Sequence, residues 1–329
     1  MNPRPHKVIF DTDPGVDDAM ALYFALAHPD IEVLGITTTF GNVSVEQAAV
    51  NALYLTTLAG VRIPVTQGVA APLRLPAPIP PAHIHGADGL GNLPERVPVQ
   101  AEIDPRSSAQ FIVDMARAQP GEITLVAVGP LGNLSLALAL EPGLPHLLRE
   151  VILMGGTLQE PGNVSAVAEA NIANDPHAAA DVFAAPWKLT MVGLDVTHRV
   201  ILPLTLFKTV ADKQQHAATS TLHHAVSFYA DFYSGLYPHV AQIHGCFGHD
   251  VLAFLYLVQP ELFGLARGRI SVITQGPAQG QTRLHRSDPQ GDTAMERQTA
   301  NRYSQVCMQV DSDACQQSLE DTLLGNWLD

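Results

Sequence analysis

Cysteine and positive charge are both scarce in this sequence. Its 329 residues contain three cysteines, Cys246, Cys307 and Cys315, and this odd, widely spaced set supports neither a disulfide framework nor a zinc site. Lys and Arg number 18 against 32 Asp and Glu, which gives a formal net charge of −14. Nucleic-acid polymers and anionic membranes are bound by clustered cations, so this balance argues against either as a partner. Small ligands and metal cations fit better.

Long apolar runs are also missing. Stretches such as 19–27 stay far below the roughly 20 residues that cross a bilayer, and no cleavable leader is visible before Val8. With 47% hydrophobic and 15% charged residues, the composition is that of a well-packed globular protein. We therefore expect a soluble protein in the reducing cytoplasm.

Short apolar segments alternate with amphipathic segments along the chain. Residues 8–10 predict a strand, and residues 19–26 then show the i, i+3, i+4, i+7 spacing of a helix face. A second helix is predicted from about Ser44 to Ala59, with Ser44 and Gln47 at capping spacing. Further strands are predicted at 33–36, 63–66, 123–128, 151–154, 189–192 and 270–273. Near-continuous apolar strands predict an α/β fold, with a mostly parallel, Rossmann-like central sheet and helices on both faces.

One segment interrupts this alternation. Residues 72–98 are rich in proline and glycine around His83 and His85, which predicts a long surface loop of the kind that often lies near an active site. The two histidines could form a metal pair, but on an irregular loop we prefer packing or ligand contact. Because no repeat or composition shift marks a second domain, we expect residues 1–329 to form a single domain, with this loop at about 72–98.

Four carboxylates follow the first predicted strand within eight residues, at Asp11, Asp13, Asp17 and Asp18. Ligands of parallel α/β sheets bind at the carboxyl ends of the strands, so a site is expected here. Carboxylates crowded against an apolar strand repel one another, and a divalent cation is the simplest compensation. Oxygen ligands with no Cys or His nearby in a zinc-like spacing favour calcium or magnesium over zinc.

Each of these aspartates also has an ordinary structural explanation. Asp17 and Asp18 could complement the dipole of a first helical turn, and Asp13-Pro14-Gly15 could form a simple turn. For any single aspartate this explanation is as good as a functional one. It does not account for the whole set.

A second polar cluster lies at 163–176, in an otherwise apolar stretch. Asn163, Glu169 and Asn171 have the donors and acceptors that bind sugar hydroxyls, and for these three we favour a ligand-binding role. Asn174 and Asp175 precede a helical pattern, and for these two we expect a helix cap instead.

A third cluster is His249-Asp250, at the start of the apolar helical run 251–258. Asp250 could be a helix N-cap only, and His249 a surface histidine only. A remote aspartate is also what completes a metal site, and histidine suits proton transfer near neutral pH. Tyr229 and Tyr233 belong to an aromatic set at helical spacing; most of that set should be core or interface, although these two could wall a ligand pocket.

The order of these motifs resembles the inosine-uridine-preferring nucleoside hydrolase family. The similarity extends over most of the chain, so it is far more specific than any one motif. The matching segments are 11–19 (DTDPGVDDA), 38–42 (TTFGN), 83–91 (HIHGADGLG), 128–133 (VGPLGN), 151–156 (VILMGG), 163–176, 191–197 (MVGLDVT) and 249–250 (HD).

The resemblance implies the fold of this family and a calcium-dependent enzyme that hydrolyses the N-glycosidic bond of ribonucleosides to ribose and free base. It implies that calcium is bound by the side chains of Asp13, Asp18 and Asp250 and by the backbone carbonyl of Val128. Asp13 would also be the general base toward the attacking water, with Asp11 in a supporting role. The residues that would grip the ribose are Asp17, Asn42, Asn163, Glu169 and Asn171. The residues on the nucleobase side would be His85, His249, Tyr229 and Tyr233, with His249 as the catalytic proton donor.

This chemistry is physically reasonable. Breaking the bond between ribose and base develops positive charge on the sugar, as in glycoside hydrolysis, and carboxylates around the ring stabilise that charge. A proton donor makes the departing base a better leaving group. The resemblance further implies a role in purine and pyrimidine salvage through ribonucleoside catabolism, and a homo-oligomer, either a tetramer or a dimer. The sequence does not name the preferred base.

Three positions depart from the family pattern. Ala170 stands where an aromatic residue is common, Val251 where proline often follows His-Asp, and His285 where aspartate often follows Gly-x-Thr. None of the three is a predicted metal ligand. The first two could reshape the pocket and its base preference.

Two other functions compete with this interpretation. A haloacid-dehalogenase-like phosphatase also begins with a strand and Asp-x-Asp, here Asp11 and Asp13, but Gly15 stands where that motif has threonine or valine. The chain could also be a non-catalytic, calcium-stabilised ribonucleoside-binding protein. The retained Asp13 argues against that second alternative.

Overall fold

Twelve β-strands are found in the computed structural model, which describes residues 4–99, 101–286 and 304–328. In chain order they are β1 His6–Thr12, β2 Ile31–Thr38, β3 Val65–Gln67, β4 Asp104–Ser107, β5 Ile123–Ala127, β6 Glu150–Met154, β7 Leu189–Val192, β8 Ile201–Pro203, β9 Gly245–Phe247, β10 Phe263–Val272, β11 Thr282–His285 and β12 Ser304–Val310. Ten of them form one sheet in the order β11-β10-β12-β7-β6-β5-β1-β2-β3-β4, while β8 and β9 pair separately.

The helices connect these strands and cover the sheet. In chain order they are α1 Val16–Ala27, α2 Val45–Leu58, α3 Ala82–His85, α4 Ser108–Ala118, α5 Gly132–Leu140, α6 Leu144–Leu147, α7 Ala170–Asn174, α8 Pro176–Ala184, α9 Leu194–Thr197, α10 Leu204–Gln214, α11 Ala217–Leu236, α12 Pro238–Ile243, α13 Val251–Val258 and α14 Ser312–Leu323. A short 3₁₀ turn at Pro260–Leu262 precedes β10. Within the described ranges, no helix is both long enough and apolar enough for a bilayer crossing.

The sheet is parallel through its centre and antiparallel at one edge. β1 pairs in parallel with β2 on one side and β5 on the other, whereas β10 runs antiparallel to both β11 and β12. This confirms the predicted α/β class with a mostly parallel sheet and helices on both faces. Parallel neighbours end at the same edge, so β1, β2, β5 and β6 deliver the segments that follow them to one place.

Strand β1 shows how the core is divided. Val8 and Phe10 pack into one hydrophobic cluster with α1, α11 and α13, and Ile9 packs into the other with α4, α5 and α8. Successive side chains of a strand point to opposite faces, so an uninterrupted apolar run supplies both layers. The near-continuous apolar strands of the sequence therefore have partners on both sides.

Most of the predicted elements are present, with shifted ends. Ser44 is the N-cap of α2, where its hydroxyl accepts the backbone N–H of Gln47 at 3.3 Å. The strand predicted at 63–66 begins at Val65, because Pro64 has no N–H to donate to a neighbouring strand. The strand predicted at 270–273 is the end of the longer β10. The segment 72–98 contains α3, so the expectation that His83 and His85 lie on irregular loop was wrong.

Candidate active site

The turn between β1 and α1 is organised around Asp18. One oxygen of its carboxylate accepts the backbone N–H of Gly15 at 2.9 Å, and the other accepts the N–H of Asp13 at 3.3 Å and the hydroxyl of Thr12. Asp18 thus stabilises the start of the helix, as its structural explanation predicts. It does so while buried, at 1% exposure, where an ionised carboxylate is costly without a counter-charge.

Asp13 is buried against two glycines. Its Oδ2 accepts the backbone N–H of Asn42 at 2.6 Å, and its Oδ1 has no hydrogen-bond partner among the described residues. A Cβ atom at Gly41 would lie 2.0 Å from Oδ2, and a Cβ atom at Gly129 would lie 2.6 Å from Oδ1. Only glycine at these positions lets the backbone after β2 and β5 approach the carboxylate this closely.

Asp17 and Asp250 add buried carboxylates from the starts of α1 and α13. Asp17 Oδ2 accepts the hydroxyl of Tyr229 at 3.0 Å, whereas its Oδ1 is buried without a hydrogen-bond partner in the described chain. Asp250 occupies the N-cap position of α13, but its side chain accepts no backbone N–H there. Capping therefore does not explain Asp250.

Asp17, Asp18 and Asp250 each place one carboxylate oxygen within 4.8 Å of the other two. Burial raises the pKa of Asp17 and of Asp18 to about 6, and the charge of Asp17 adds to the shift at Asp18. Burial, followed by the charges of Asp17 and Asp18, raises the pKa of Asp250 well above its usual value. The pKa of Asp13 is also raised, by burial and then by Asp18. A bound cation would remove both the desolvation cost and the repulsion.

These residues fit a divalent cation with oxygen ligands. Within the described part of the chain, Asp13 Oδ1 and Asp17 Oδ1 are among the buried oxygens that have no hydrogen-bond partner, and both belong to carboxylates. Asp17, Asp18 and Asp250 form a carboxylate triad. Two of its members, Asp18 and Asp250, are predicted ligands, and the third is Asp17, where Asp13 was predicted. The other predicted ligand atom, the carbonyl oxygen of Val128, accepts one side-chain N–H and retains a second lone pair.

The four predicted ribose residues that follow Asp17 in the chain are held in place by internal hydrogen bonds. The side-chain amide of Asn42 donates to Asp18 Oδ2 at 3.0 Å, and Asn163 Oδ1 accepts the N–H of Ala170 at 3.0 Å. The Asn171 amide donates to the carbonyls of Val128 at 2.7 Å and Met154 at 3.2 Å. Amides fixed in this way present a defined set of polar atoms to a ligand.

Glu169 has a structural role that its sequence context did not reveal. It is the N-cap of α7, where its carboxylate accepts the backbone N–H groups of Asn171 and Ile172, and it also accepts the N–H of Gly156 at 2.8 Å. Burial raises its pKa in spite of these three bonds. Asp175 caps α8 by accepting the N–H of Ala178, which confirms the cap expected there.

Two histidines and two tyrosines form the other side of the site. His85 Nδ1 accepts the backbone N–H of Val16 at 3.2 Å, and its ring lies 5.2 Å from that of Tyr229. His249 Nε2 is 3.0 Å from the hydroxyl of Tyr233. Burial lowers the pKa of His85 to about 4 and the pKa of His249 well below its usual value. Both rings are therefore neutral at neutral pH.

One pocket brings most of the predicted site residues together. Its wall includes Asp17, Asn42, His85, Val128, Asn163, Glu169, Asn171, Tyr229, Tyr233, His249 and Asp250. Asp13 and Asp18 are buried behind this wall. Residues from positions 17 to 250 thus converge on a single site at the carboxyl edge of the sheet.

Asp11 supports the site without lining the pocket. Its Oδ1 accepts the hydroxyl of Thr37 at 2.5 Å and the side-chain amide of Asn133 at 2.8 Å. Burial raises its pKa to about 7, against the effect of these two bonds. The arrangement ties the ends of β1 and β2 to the start of α5, in line with the supporting role expected for Asp11.

The pocket wall also contains residues that sequence reasoning missed: Pro81, Ile84 and Met154. Met154 is the last residue of β6, directly before Gly155, so its position at a strand end was a usable signal. Ala170, which the sequence singled out as a departure that could reshape the pocket, also lies on this wall. His285 lies instead on β11, at the antiparallel edge of the sheet.

The family of the chain follows from comparison with known proteins. The model of the inosine-uridine preferring nucleoside hydrolase family matches residues 8–317. The chain is 37% identical over 278 residues to the "Probable uridine nucleosidase 1" of Oryza sativa subsp. japonica, covering 84% of each chain. It is 37% identical over 276 residues to the "Inosine-uridine preferring nucleoside hydrolase" of Leishmania major, covering 83% of this chain and 85% of that one.

A solved structure supports the same assignment. The plant nucleoside hydrolase "PpNRh1 enzyme" superposes with a TM-score of 0.89 at 33% identity, covering 98% of this chain and 99% of that one. The α/β fold of this chain is thus shared with a plant nucleoside hydrolase. The chain belongs to the inosine-uridine preferring nucleoside hydrolase family. It is an enzyme that hydrolyses ribonucleosides, and neither the phosphatase nor the binding-only alternative is supported.

Proposed function

We propose that this chain uses calcium to hydrolyse the N-glycosidic bond of ribonucleosides, releasing ribose and free base. The observation that supports this best is the triad of Asp17, Asp18 and Asp250 oxygens within 4.8 Å of one another, beside a pocket walled by amides and histidines. Carboxylate and carbonyl oxygens suit a hard cation. Calcium accepts more protein oxygens than magnesium, which retains several waters.

In this proposal the aspartates divide two tasks. Asp13, Asp18, Asp250 and the Val128 carbonyl hold the cation, with Asp17 close enough to contribute. Asp17 also grips the ribose, together with Asn42, Asn163, Glu169 and Asn171. The polar atoms of these side chains are positioned by the internal bonds described above, so little conformational entropy remains to be lost on binding.

The reaction breaks the C1′–N bond and leaves the bonding electron pair on the base. The sugar then develops positive charge, which the surrounding carboxylates stabilise in a buried site where electrostatic effects are strong. When bound, the cation orients the ribose hydroxyls and makes the attacking water more acidic. Asp13 takes the proton of this water at Oδ1, the carboxylate oxygen for which the described chain offers no partner.

His249 assists departure of the base. Because burial keeps its ring neutral, the group that it offers is the N–H of a neutral imidazole, which stabilises negative charge on the departing base by hydrogen bonding. His85, Tyr229 and Tyr233 complete the nucleobase side. Both curated relatives described above have uridine in their names, so uridine is the first substrate to test.

We further propose that the chain is one domain acting in purine and pyrimidine salvage in the cytoplasm, as a homotetramer or a homodimer. The three cysteines are buried and free, which suits a reducing compartment. The oligomeric state is measurable by light scattering on the purified protein.

The deciding experiment measures reducing-sugar release from a panel of purine and pyrimidine ribonucleosides, with added calcium and with chelator. The parent should release ribose with calcium and lose this activity in chelator. Asp13→Ala should lower kcat by about 100-fold or more, the range expected for losing a general base.

Asp313→Ala is the matched control, because Asp313 is an exposed aspartate on α14, remote from the pocket. It should keep parental activity. No release of ribose by the calcium-loaded parent from any nucleoside would overturn the proposal. Equal activity with and without chelator would overturn its calcium part alone.

A further inference from the structure

The loop that carries Asn163 buries little of its surface. It runs from residue 157 to residue 168, between β6 and α7, and residues 159–161 and 163–166 are exposed. Val164, beside Asn163, is 61% exposed. A segment with so little buried apolar surface opens easily, so its position depends on the hydrogen bonds that attach it to the rest of the fold.

Asp195 holds the beginning of this loop from outside the pocket. Its carboxylate accepts three consecutive backbone N–H groups, from Leu158 at 2.7 Å, Gln159 at 2.7 Å and Glu160 at 3.1 Å. Backbone N–H groups can only donate, so the direction of all three bonds is fixed. Asp195 is 2% exposed and is not part of the pocket wall.

Thr282 holds the residue that precedes these three. Its hydroxyl donates to the carbonyl of Thr157 at 2.6 Å and accepts the backbone N–H of Thr157 at 3.0 Å. A carbonyl can only accept and a backbone N–H can only donate, so each of these bonds has one possible direction. Thr282 begins β11, at the antiparallel edge of the sheet, and is 3% exposed. We call Asp195 and Thr282 together the loop clamp.

The sheet topology explains how Asp195 reaches this loop. It lies in α9, directly after β7, and β7 pairs in parallel with β6, so the segments that follow both strands leave the same edge. Gly193 allows them to approach closely, because a Cβ atom there would lie 2.6 Å from the carbonyl oxygen of Gly156. The N–H of Leu194 donates to that same carbonyl at 2.9 Å. Segment 191–197, whose role the sequence did not indicate, therefore packs against the start of the loop.

Beyond the loop clamp, the chain bonds to itself. The N–H of Gly162 donates to the carbonyl of Ala166 at 3.3 Å, and the N–H of Val164 donates to the carbonyl of Ala168 at 3.2 Å. These bonds set the shape of the exposed part of the loop. The loop clamp sets the place where that part leaves the sheet.

Asn163 depends on the loop clamp more than the other predicted ribose residues of this region do. Glu169 is attached to the N–H of Gly156, and Asn171 to the carbonyl of Val128, so both are fixed directly to strand ends. The bond found for the Asn163 side chain within the described residues comes instead from the N–H at the start of α7. Asn163 is therefore fixed only while both ends of its loop are fixed.

We propose that Asp195 and Thr282 are positioning residues, which fix residues 157–160 and thereby hold Asn163 at the pocket wall for contact with ribose. The inference rests on the proposed function, in which Asn163 grips the ribose. It also gives the antiparallel edge of the sheet a part in the site, because β11 supplies one half of the loop clamp.

The first measurement is hydrogen–deuterium exchange followed by mass spectrometry, which does not depend on activity. In Asp195→Ala, peptides that cover residues 157–168 should exchange at least about tenfold faster than in the parent, a factor that corresponds to about one net hydrogen bond. Peptides that cover β5 should keep their parental rates. Thr282→Val, which removes both threonine bonds but keeps the side-chain shape, should also speed exchange of the loop, and Thr282→Ser should match the parent.

Asp311→Ala is the matched control for these variants. Asp311 also accepts a backbone N–H through its carboxylate, from Ala314 at 3.1 Å, but it does so as the N-cap of α14. Its loss should leave exchange of residues 157–168 at the parental rate.

The second measurement is calorimetric titration of the calcium-loaded protein with ribose. Asp195→Ala and Asn163→Ala should each weaken ribose binding by about tenfold, again the equivalent of about one hydrogen bond. The double variant should bind ribose no more weakly than Asn163→Ala alone, because residues that act through one contact are not additive. A merely structural role for Asp195 predicts additive losses instead.

Parental exchange of residues 157–168 in both Asp195→Ala and Thr282→Val would overturn the inference, as would additive losses of ribose affinity. If Asp195→Ala does not fold, Thr282→Val takes its place in both measurements. A parent that gives the expected exchange and ribose binding but hydrolyses no nucleoside supports the loop clamp and overturns the proposed function.

Discussion

The side-chain amide of Asn171 donates to the backbone carbonyl of Val128 at 2.7 Å. Val128 directly follows the central strand β5, and Asn171 lies in α7, so this one bond ties the polar loop of the pocket to the end of the sheet. The same amide reaches the carbonyl of Met154, which ends β6. Asn171 therefore sets the direction of a carbonyl that is a proposed cation ligand, in addition to its proposed contact with ribose.

We expect Asn171→Ala to weaken calcium binding as well as activity. Groups that orient metal ligands are typically worth about 10-fold to 100-fold in metal affinity, so the calcium concentration at half-maximal activity should rise by about that factor. Asn174→Ala, in the same short helix, is the matched control and should behave like the parent. Unchanged calcium dependence in Asn171→Ala would show that the amide does not position the carbonyl.

Gly41→Ala should displace Asp13. The new Cβ atom would lie 2.0 Å from Asp13 Oδ2, and either the carboxylate or the backbone after β2 must move. A displacement of about 1 Å in an active site costs about 100-fold in rate, and we expect kcat/KM to fall by that order. Gly235→Ala, where a Cβ meets nothing within 4 Å near the end of α11, should keep activity. Parental kcat/KM in Gly41→Ala would contradict the role given to this glycine.

Asn51 should hold the segment that contains His85. Its side-chain amide donates to the carbonyls of Pro14 at 2.8 Å and Asp88 at 2.9 Å, and its carbonyl oxygen accepts from Arg96 at 2.7 Å. It is fully buried, so Asn51→Ala leaves several buried groups without partners, each at a cost of about 1 to 3 kcal/mol.

Asn51→Ala should therefore unfold at lower denaturant concentration and show a raised KM, because Asp88 and Pro14 flank the histidine and the acidic turn. Asn51→Asp separates the loss of the donated bonds from the loss of the accepted one. It retains the acceptor for Arg96 but loses both bonds that Asn51 donates. Parental KM in both variants would mean that His85 is positioned by other contacts.

Stabilisation of the fold by calcium should increase with pH. The folded-state pKa values of Asp17 and Asp18, about 6, and of Asp11, about 7, lie above those of an unfolded chain. Without the cation, the folded protein therefore holds protons that the unfolded chain releases, and that part of the stability is lost as pH rises through this window.

Calcium favours the ionised carboxylates and competes with those protons. The difference in Tm between calcium and chelator should thus be small at about pH 5 and grow up to about pH 8. Burial lowers the pKa of His85 to about 4 and that of His249 well below its usual value, so both rings stay neutral in the folded protein across this range. A Tm difference independent of pH would contradict the assignment of these carboxylates to the cation.

The central fold could be predicted because its strands are apolar on both faces. The runs at 123–128, 151–154 and 189–192 appear as β5, β6 and β7, with ends moved by a residue at most. The antiparallel edge was not predicted. Only three of the ten residues of β10 are buried, and its pairing with β12 joins residues 36 to 47 positions apart, which no local pattern reveals.

The site could be predicted as a set of strand ends but not as a set of contacts. The strand ends indicated Asp13, Asp17 and Asp18, which follow β1, and Gly129, which follows β5 and lies against Asp13. Local pattern could not show that Glu169 caps a helix of five residues, or that the third oxygen of the carboxylate triad belongs to Asp17. The matched segment 191–197 contains Thr197, but its contact with His249 could not be predicted, because the two residues are distant in sequence.

The triad joins Asp17 and Asp18, at the start of the chain, to Asp250, in its last third. Because these oxygens come from distant parts of the chain, we expect the cation contacts to form late, on the native side of the folding barrier. If they do, calcium should slow unfolding and leave the folding rate unchanged, because stabilising interactions that are absent from the transition state act on unfolding alone. Bound calcium should therefore lengthen the lifetime of the native state without making the chain fold faster.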